Sequence, residues 1–150
     1  MAEVLRRAGV EARIEEFAQG TPTAEAAARA AGCGLPQIVK SLVFECGGRF
    51  VVAMVPGDRR ADRRKVALAA GTRRARVASA AEVENATGFA PGAVAPFPLP
   101  GVQRVLIDRR LLTQPLVWTG AGSERHLAAI TPADLVRLTR AEAGDLVVDS

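Results

Sequence analysis

The hydrophobic run in LPQIVKSLVFEC, residues 35 to 46, reads as a strand. At a period of two, Ile38, Lys40, Leu42, Phe44 and Cys46 share one side of a strand. Gly47-Gly48 then separates this run from RFVVAMVP, and two glycines between β-rich runs predict a hairpin. VEARIEEF (10 to 17) alternates weakly, as an edge or half-buried strand does. Later strands are expected in ARVAS, VQRVLID, LVWTGAG and HLAAI, with GAGSERH joining the last two. Helices are predicted where caps meet alanine-rich or 3.6-period runs. These are residues 2 to 8, stopped by Gly9; TPTAEAAARAAG, capped by Thr21 or Thr23 and stopped by Gly32; ADRRKVALAAG; and AAEVENAT. TPADLVRLTR adds a helix with Thr131 as cap, Pro132 at its first position, Asp134 in the first turn and Arg137 and Arg140 near the end.

Hairpins and helices are interleaved, so the expected fold is α/β with a mixed rather than purely parallel sheet. With 150 residues, no internal repeat and no linker, one domain spanning 1–150 is expected. No apolar run approaches the length that spans a bilayer, and the acid-bearing N-terminus lacks a signal core, so the expected location is the cytoplasm, away from membranes. The two cysteines, Cys33 and Cys46, match no zinc or redox spacing, and there is a single histidine. Neither a metal nor a disulfide is expected.

Charge changes the picture in one place. The net charge is +4, but residues 57 to 76 hold eight basic residues and two acids. Such a surplus attracts a polyanion, or simply forms a solvated arginine face. The candidates within it are Arg63, Arg64, Arg73 and Arg74.

The available chemistry is narrow. There is no phosphate-binding glycine loop and no G-x-S-x-G elbow. A triad on His126 would draw on Ser123, Thr119 and Asp108, whose order is unspecific. What remains is Lys40 on an apolar strand face, the proline-rich stretch TGFAPGAVAPFPLPG and the strand end WTGAG. A lysine so placed either snorkels to water or points into a pocket, where it binds a phosphate or polarises a carbonyl. Backbone N–H groups beside Gly92 and Gly120 are candidate oxyanion donors. Together these describe a pocket for an anionic substrate that needs no cofactor.

The ordered set TPTAEAAARAAGCGLPQIVKSLVF, VPGDRRADRRKVALAAG, ATGFAPGAVAPF, VLIDRRLL, TGAG and ITPADLVRL resembles the YbaK and prolyl-tRNA synthetase-associated editing domain family. The resemblance covers most of the chain. It implies a compact α/β domain with a mixed, partly barrel-like sheet flanked by helices. The implied activity is aminoacyl-tRNA deacylation in trans, commonly of alanyl- or cysteinyl-tRNA(Pro). Lys40 matches the family's active-site lysine and Gly92 the glycine that positions substrate and water. Thr119 falls where relatives carry a small hydroxyl residue, beside Gly120, and Phe17 falls near a pocket-lining aromatic. Asp58 and Lys65 belong to the family's GD-x-R-x-D-x-x-K stretch and, with Phe17, Ala93 and His126, are the implied substrate-binding residues. His126 lies near a histidine used by some alanine editors. The chain departs from the family at Ala93, usually glycine, and at Pro98 after Pro96-Phe97. The implied partners are mischarged tRNA and, as a second candidate, a cognate aminoacyl-tRNA synthetase. The rival classes are a non-catalytic RNA- or DNA-binding domain on the same fold, and a structural or partner-binding domain.

Overall fold

The computed structural model describes residues 12–16, 23–89, 101–120 and 126–149. The expected helix at 2 to 8, Phe17, Gly92 and Ala93 lie outside these residues.

Among the described residues there are eight strands and four α-helices. Strand β1 is Ala12–Glu16. Helix α1 (Ala24–Ala31) starts where Thr23 accepts a hydrogen bond from the Ala26 amide, and Gly32 ends it in the left-handed region. Strands β2 (Val39–Cys46) and β3 (Arg49–Pro56) form the expected hairpin. Both turn glycines have positive φ, 60° at Gly47 and 84° at Gly48, as a tight two-residue turn requires. Helix α2 (Arg63–Ala69) is capped by Asp62. Strand β4 (Arg76–Val77) leads to α3 (Ala80–Thr87), which opens with a Ser79/Glu82 capping box. Strand β5 (Arg104–Asp108), a 3-10 segment (Arg109–Thr113), β6 (Val117–Gly120) and β7 (His126–Ile130) follow. Helix α4 (Pro132–Thr139) has its Thr131 cap and Pro132 at the first turn. Arg140, expected near that helix's end, is its C-cap at φ 56°. The last strand, β8 (Glu142–Gly144), was not anticipated.

The strands form two sheets, β1-β7-β6 and β4-β2-β3-β5-β8. The first is antiparallel. The second is mixed: β2 pairs antiparallel with β3 and β4, while β3–β5 and β5–β8 are parallel. An isolated parallel bridge, Ile38 to Trp118, joins the two. Val39, Val43, Val52, Met54 and Ile107 of the larger sheet meet Val117 and Ile130 of the smaller in one apolar cluster, closed by Leu135 and Leu138 of α4. The sheets therefore curve round a shared core as a partial barrel. A second cluster packs Phe44, Cys46, Val51 and Val55 beneath Val66 of α2, and a third packs Ile38 and Trp118 beneath Ala27 and Ala28 of α1. The small alanines let α1 approach its sheet closely. Each large side chain buried in these clusters contributes about 1.5–3 kcal/mol relative to exposure.

Candidate active site

Strand β2 carries Lys40, the centre of the candidate site. Leu42, Phe44 and Cys46 turn toward the cluster under α2, and Ile38 toward the cluster under α1. Lys40 shares their side of the strand and falls between the two. It is half-buried. Burial pushes its ammonium below the ordinary lysine pKa, against Glu25 and Asp58, which favour the charged form; Arg60 adds to the depression. The ammonium donates a hydrogen bond to the carbonyl oxygen of Arg59. Gly57, which opens the 57–62 segment, is needed for close approach: a Cβ there would lie 2.8 Å from the Leu35 carbonyl oxygen and 3.1 Å from Ile38 Cβ. Its N–H donates to the Ile38 carbonyl at 2.8 Å.

From the Ile38–Trp118 bridge, β2 and β6 run in the same direction, so Lys40 and Gly120 each stand two residues further on. Beyond the bridge β2 takes β4 as its neighbour and β6 keeps β7. Thr119 points the other way. Alternation sends it with Val117 and Val39 into the shared core, where the residue is 1% exposed and its buried hydroxyl has no hydrogen-bond partner among the described residues. The Thr119 hydroxyl and the Lys40 ammonium therefore leave their strands on opposite faces.

His126 opens β7 opposite Glu16, with its Nε2 3.1 Å from the Glu16 carboxylate. The triad option for it loses Asp108, which is fully buried at the end of β5, in the other sheet. The Asp108 carboxylate accepts hydrogen bonds from the Leu146 amide at 2.8 Å and the Arg110 amide at 3.0 Å. These bonds satisfy it structurally.

Lys65 does not face Lys40. Its three ammonium protons meet three acceptors in the C-terminal segment: Asp145 Oδ2 at 2.8 Å, the Val147 carbonyl at 2.7 Å and Asp149 Oδ1 at 2.6 Å. Its ammonium is thus committed to the C-terminal segment. Asp58 is exposed, acts on Lys40 electrostatically and lines a cavity of about 250 Å³ with Arg59 and Arg110.

The four arginines singled out from composition do converge. Arg63 and Arg64, in the first turn of α2, face Arg73 and Arg74 across a groove of about 680 Å³, with Arg76 and Glu45 on its wall. The geometry is local in origin. Gly71, at φ 74°, reverses the chain after α2, and the Thr72 hydroxyl bonds the Ala67 and Arg74 carbonyls. Arg76 is neutralised by Glu82 at 2.7 and 2.8 Å and by Glu45 at 3.4 Å, and this guanidinium pulls Glu82 down to about 2. Among the described residues, no ion pair engages the other four. The groove also borders the positive end of the α2 dipole.

Sequence reasoning missed Asp62, Arg110, Asp145 and Asp149. Asp62 had a legible signal, an acid just before a helix. The other three become meaningful only when the chain's end returns to α2. Among the described residues no helix is long and apolar enough to cross a membrane, and no group of His, Cys, Asp or Glu could hold a metal ion.

Residues 18–138 match the family model described as the aminoacyl-tRNA editing domain. The chain is 34% identical over 123 residues to the uncharacterized protein YwhH of Bacillus subtilis (strain 168), covering 81% of this chain and 78% of that protein. It is 29% identical over 138 residues to the proline–tRNA ligase of Stenotrophomonas maltophilia (strain R551-3), covering 85% of this chain and 24% of the ligase. A crystal structure described as a candidate trans-editing enzyme for prolyl tRNA synthetase superposes with a TM-score of 0.90 at 35% identity, covering 98% of this chain and 94% of the other.

Proposed function

Because the chain belongs to the aminoacyl-tRNA editing domain family, we propose that it is a trans-acting deacylase that hydrolyses the ester of mischarged tRNA, Ala- or Cys-tRNA(Pro) in particular. The observation that carries this reading is Lys40: a half-buried ammonium on an otherwise apolar strand face, two residues past the bridge that joins β2 to β6, as Gly120 is on β6. One of its protons is held by Arg59. The others are available to the terminal phosphate or the acylated ribose.

An aminoacyl ester is already activated, so orientation of ester and water accounts for most of the rate required. The neighbouring ribose hydroxyl assists the water. Backbone N–H groups near Gly120, and by family resemblance near Gly92, stabilise the oxyanion. Thr119, whose hydroxyl leaves its strand on the face opposite Lys40, enters this reading on the family resemblance alone. Phe17, Ala93 and His126 are assigned to the acyl pocket on the same resemblance, with Asp58 at its edge. Such chemistry proceeds without a cofactor or a triad.

Arg63, Arg64, Arg73 and Arg74 are assigned to tRNA phosphates. Their groove borders Glu45, five residues along β2 from Lys40, or roughly 17 Å at strand spacing. A cognate synthetase is a further partner under this reading, and the cytoplasm the place of work. The groove equally suits a non-catalytic RNA-binding domain.

Hydrolysis assays on Ala-tRNA(Pro), Cys-tRNA(Pro), Ser-tRNA(Thr) and Pro-tRNA(Pro) separate these readings. A deacylase cleaves the mischarged esters faster than the prolyl ester. Cleavage of none, with tRNA still bound, selects the binding domain. Preference for the prolyl ester removes the quality-control role.

A further inference from the structure

The C-terminal segment runs back along the stretch that holds Lys40. The Val148 amide donates to the Arg60 carbonyl at 2.8 Å, Ala61 and Val147 form an antiparallel bridge, and the Asp62 amide donates to the Leu146 carbonyl at 2.8 Å. Leu146 and Val147 are fully buried beneath α2, beside Val66 and Leu106. On the other side, a turn from β3 closes with the Arg59 amide on the Pro56 carbonyl at 3.1 Å. The Arg59 carbonyl, the acceptor for Lys40, is thus held between a turn and a zipped strand. Lys65 fastens the arrangement. All three of its acceptors belong to residues 145–149, and Asp145 is held from behind by Arg110 at 3.2 Å.

We propose that residues 145–149 are a strap that positions the Lys40 ammonium through the Arg59 carbonyl, and that Lys65 is its clasp and a positioning residue for the reaction. This rests on the reading of Lys40 as the substrate-binding cation. It also accounts for a lysine in the GD-x-R-x-D-x-x-K stretch whose protons are all spent on the protein.

The chain has two lysines, so Lys40 can be observed directly by NMR in lysine-labelled protein. The charged groups acting on it are Glu25 on α1 and Asp58 and Arg60 on the strapped segment. In the wild type, burial holds its titration below the ordinary lysine range. Lys65→Met removes the clasp's charge but keeps its apolar stem, and leaves Lys40 as the single lysine. Asp149→Asn is milder, because Asp149 is an exposed end of the same clasp.

In both variants the Lys40 titration should move up toward the ordinary value as the lysine gains solvent. The kcat for a mischarged tRNA should fall at least tenfold in Lys65→Met, with KM changed less than threefold. A folded variant of either kind with the Lys40 titration unmoved overturns the strap. If Lys65→Met does not fold, Asp149→Asn decides alone. Should the wild type cleave no ester, the deacylase reading fails, while the titration still reports on the strap.

Discussion

A lone cation among Ile38, Leu42, Phe44 and Cys46 costs desolvation energy, and the depressed pKa of Lys40 is the sign of that cost. Replacing Lys40 with alanine should therefore leave folding cooperative and lower deacylation at least tenfold, a loss of about 1.4 kcal/mol or more in transition-state stabilisation. Activity within twofold of wild type would remove Lys40 from the site. Thr119 offers a complementary test. Its buried hydroxyl lacks a partner among the described residues, so Thr119→Val should leave Tm unchanged or raise it. If that oxygen meets the attacking water, kcat should still fall about tenfold. A change in neither quantity would make Thr119 a core residue. Lys40 was legible because one charge in an alternating apolar run is visible in one dimension. That Thr119 faces away from it was not, since the relation depends on how β6 meets β2 at the Ile38–Trp118 bridge.

Short-range signals anticipated most elements. The Thr23 and Thr131 caps, the Gly47-Gly48 turn and the Gly32 stop each act within four residues. Strand β8 escaped because Glu142–Gly144 has no β-branched residue, and its pairing comes from the parallel edge of β5. The strap escaped because its contacts with Lys65 span 80 to 84 residues of sequence. Its electrostatics set a pH expectation. Lys65 and then Arg110 hold the Asp145 carboxyl at about 2, below its ordinary value. A carboxyl pKa lowered by folding contributes stability that is complete above the ordinary range, near pH 4, and lost as pH falls toward 2. Denaturant unfolding between pH 5 and about 2 should show this loss, and Asp145→Asn should flatten it. Equal pH slopes in the two proteins would mean that the clasp contributes nothing measurable.

Across the whole molecule, charge is concentrated away from the proposed chemistry. The 680 Å³ groove gathers Arg63, Arg64, Arg73 and Arg74 at one end of β2, and Lys40 stands at the other. Neutralising the four arginines together should weaken tRNA binding, flatten its dependence on salt and spare turnover at saturation. An unchanged salt slope would make them a solvated face. Composition revealed this patch, since eight bases in twenty residues are conspicuous, but only the fold shows that five of them border one concave surface. The Ile38–Trp118 bridge has a consequence of a different kind. Outside their paired strands, the two sheets share this one backbone ladder contact among the described residues. Their remaining union is side-chain packing, which can slip or part at lower cost than a hydrogen-bonded ladder. Amide exchange in β6 and β7 faster than in the hairpin β2–β3 would show the smaller sheet opening on its own, and equal rates would show one cooperative unit. A site at that seam could breathe to admit an acyl group while the strand bearing its lysine stays folded.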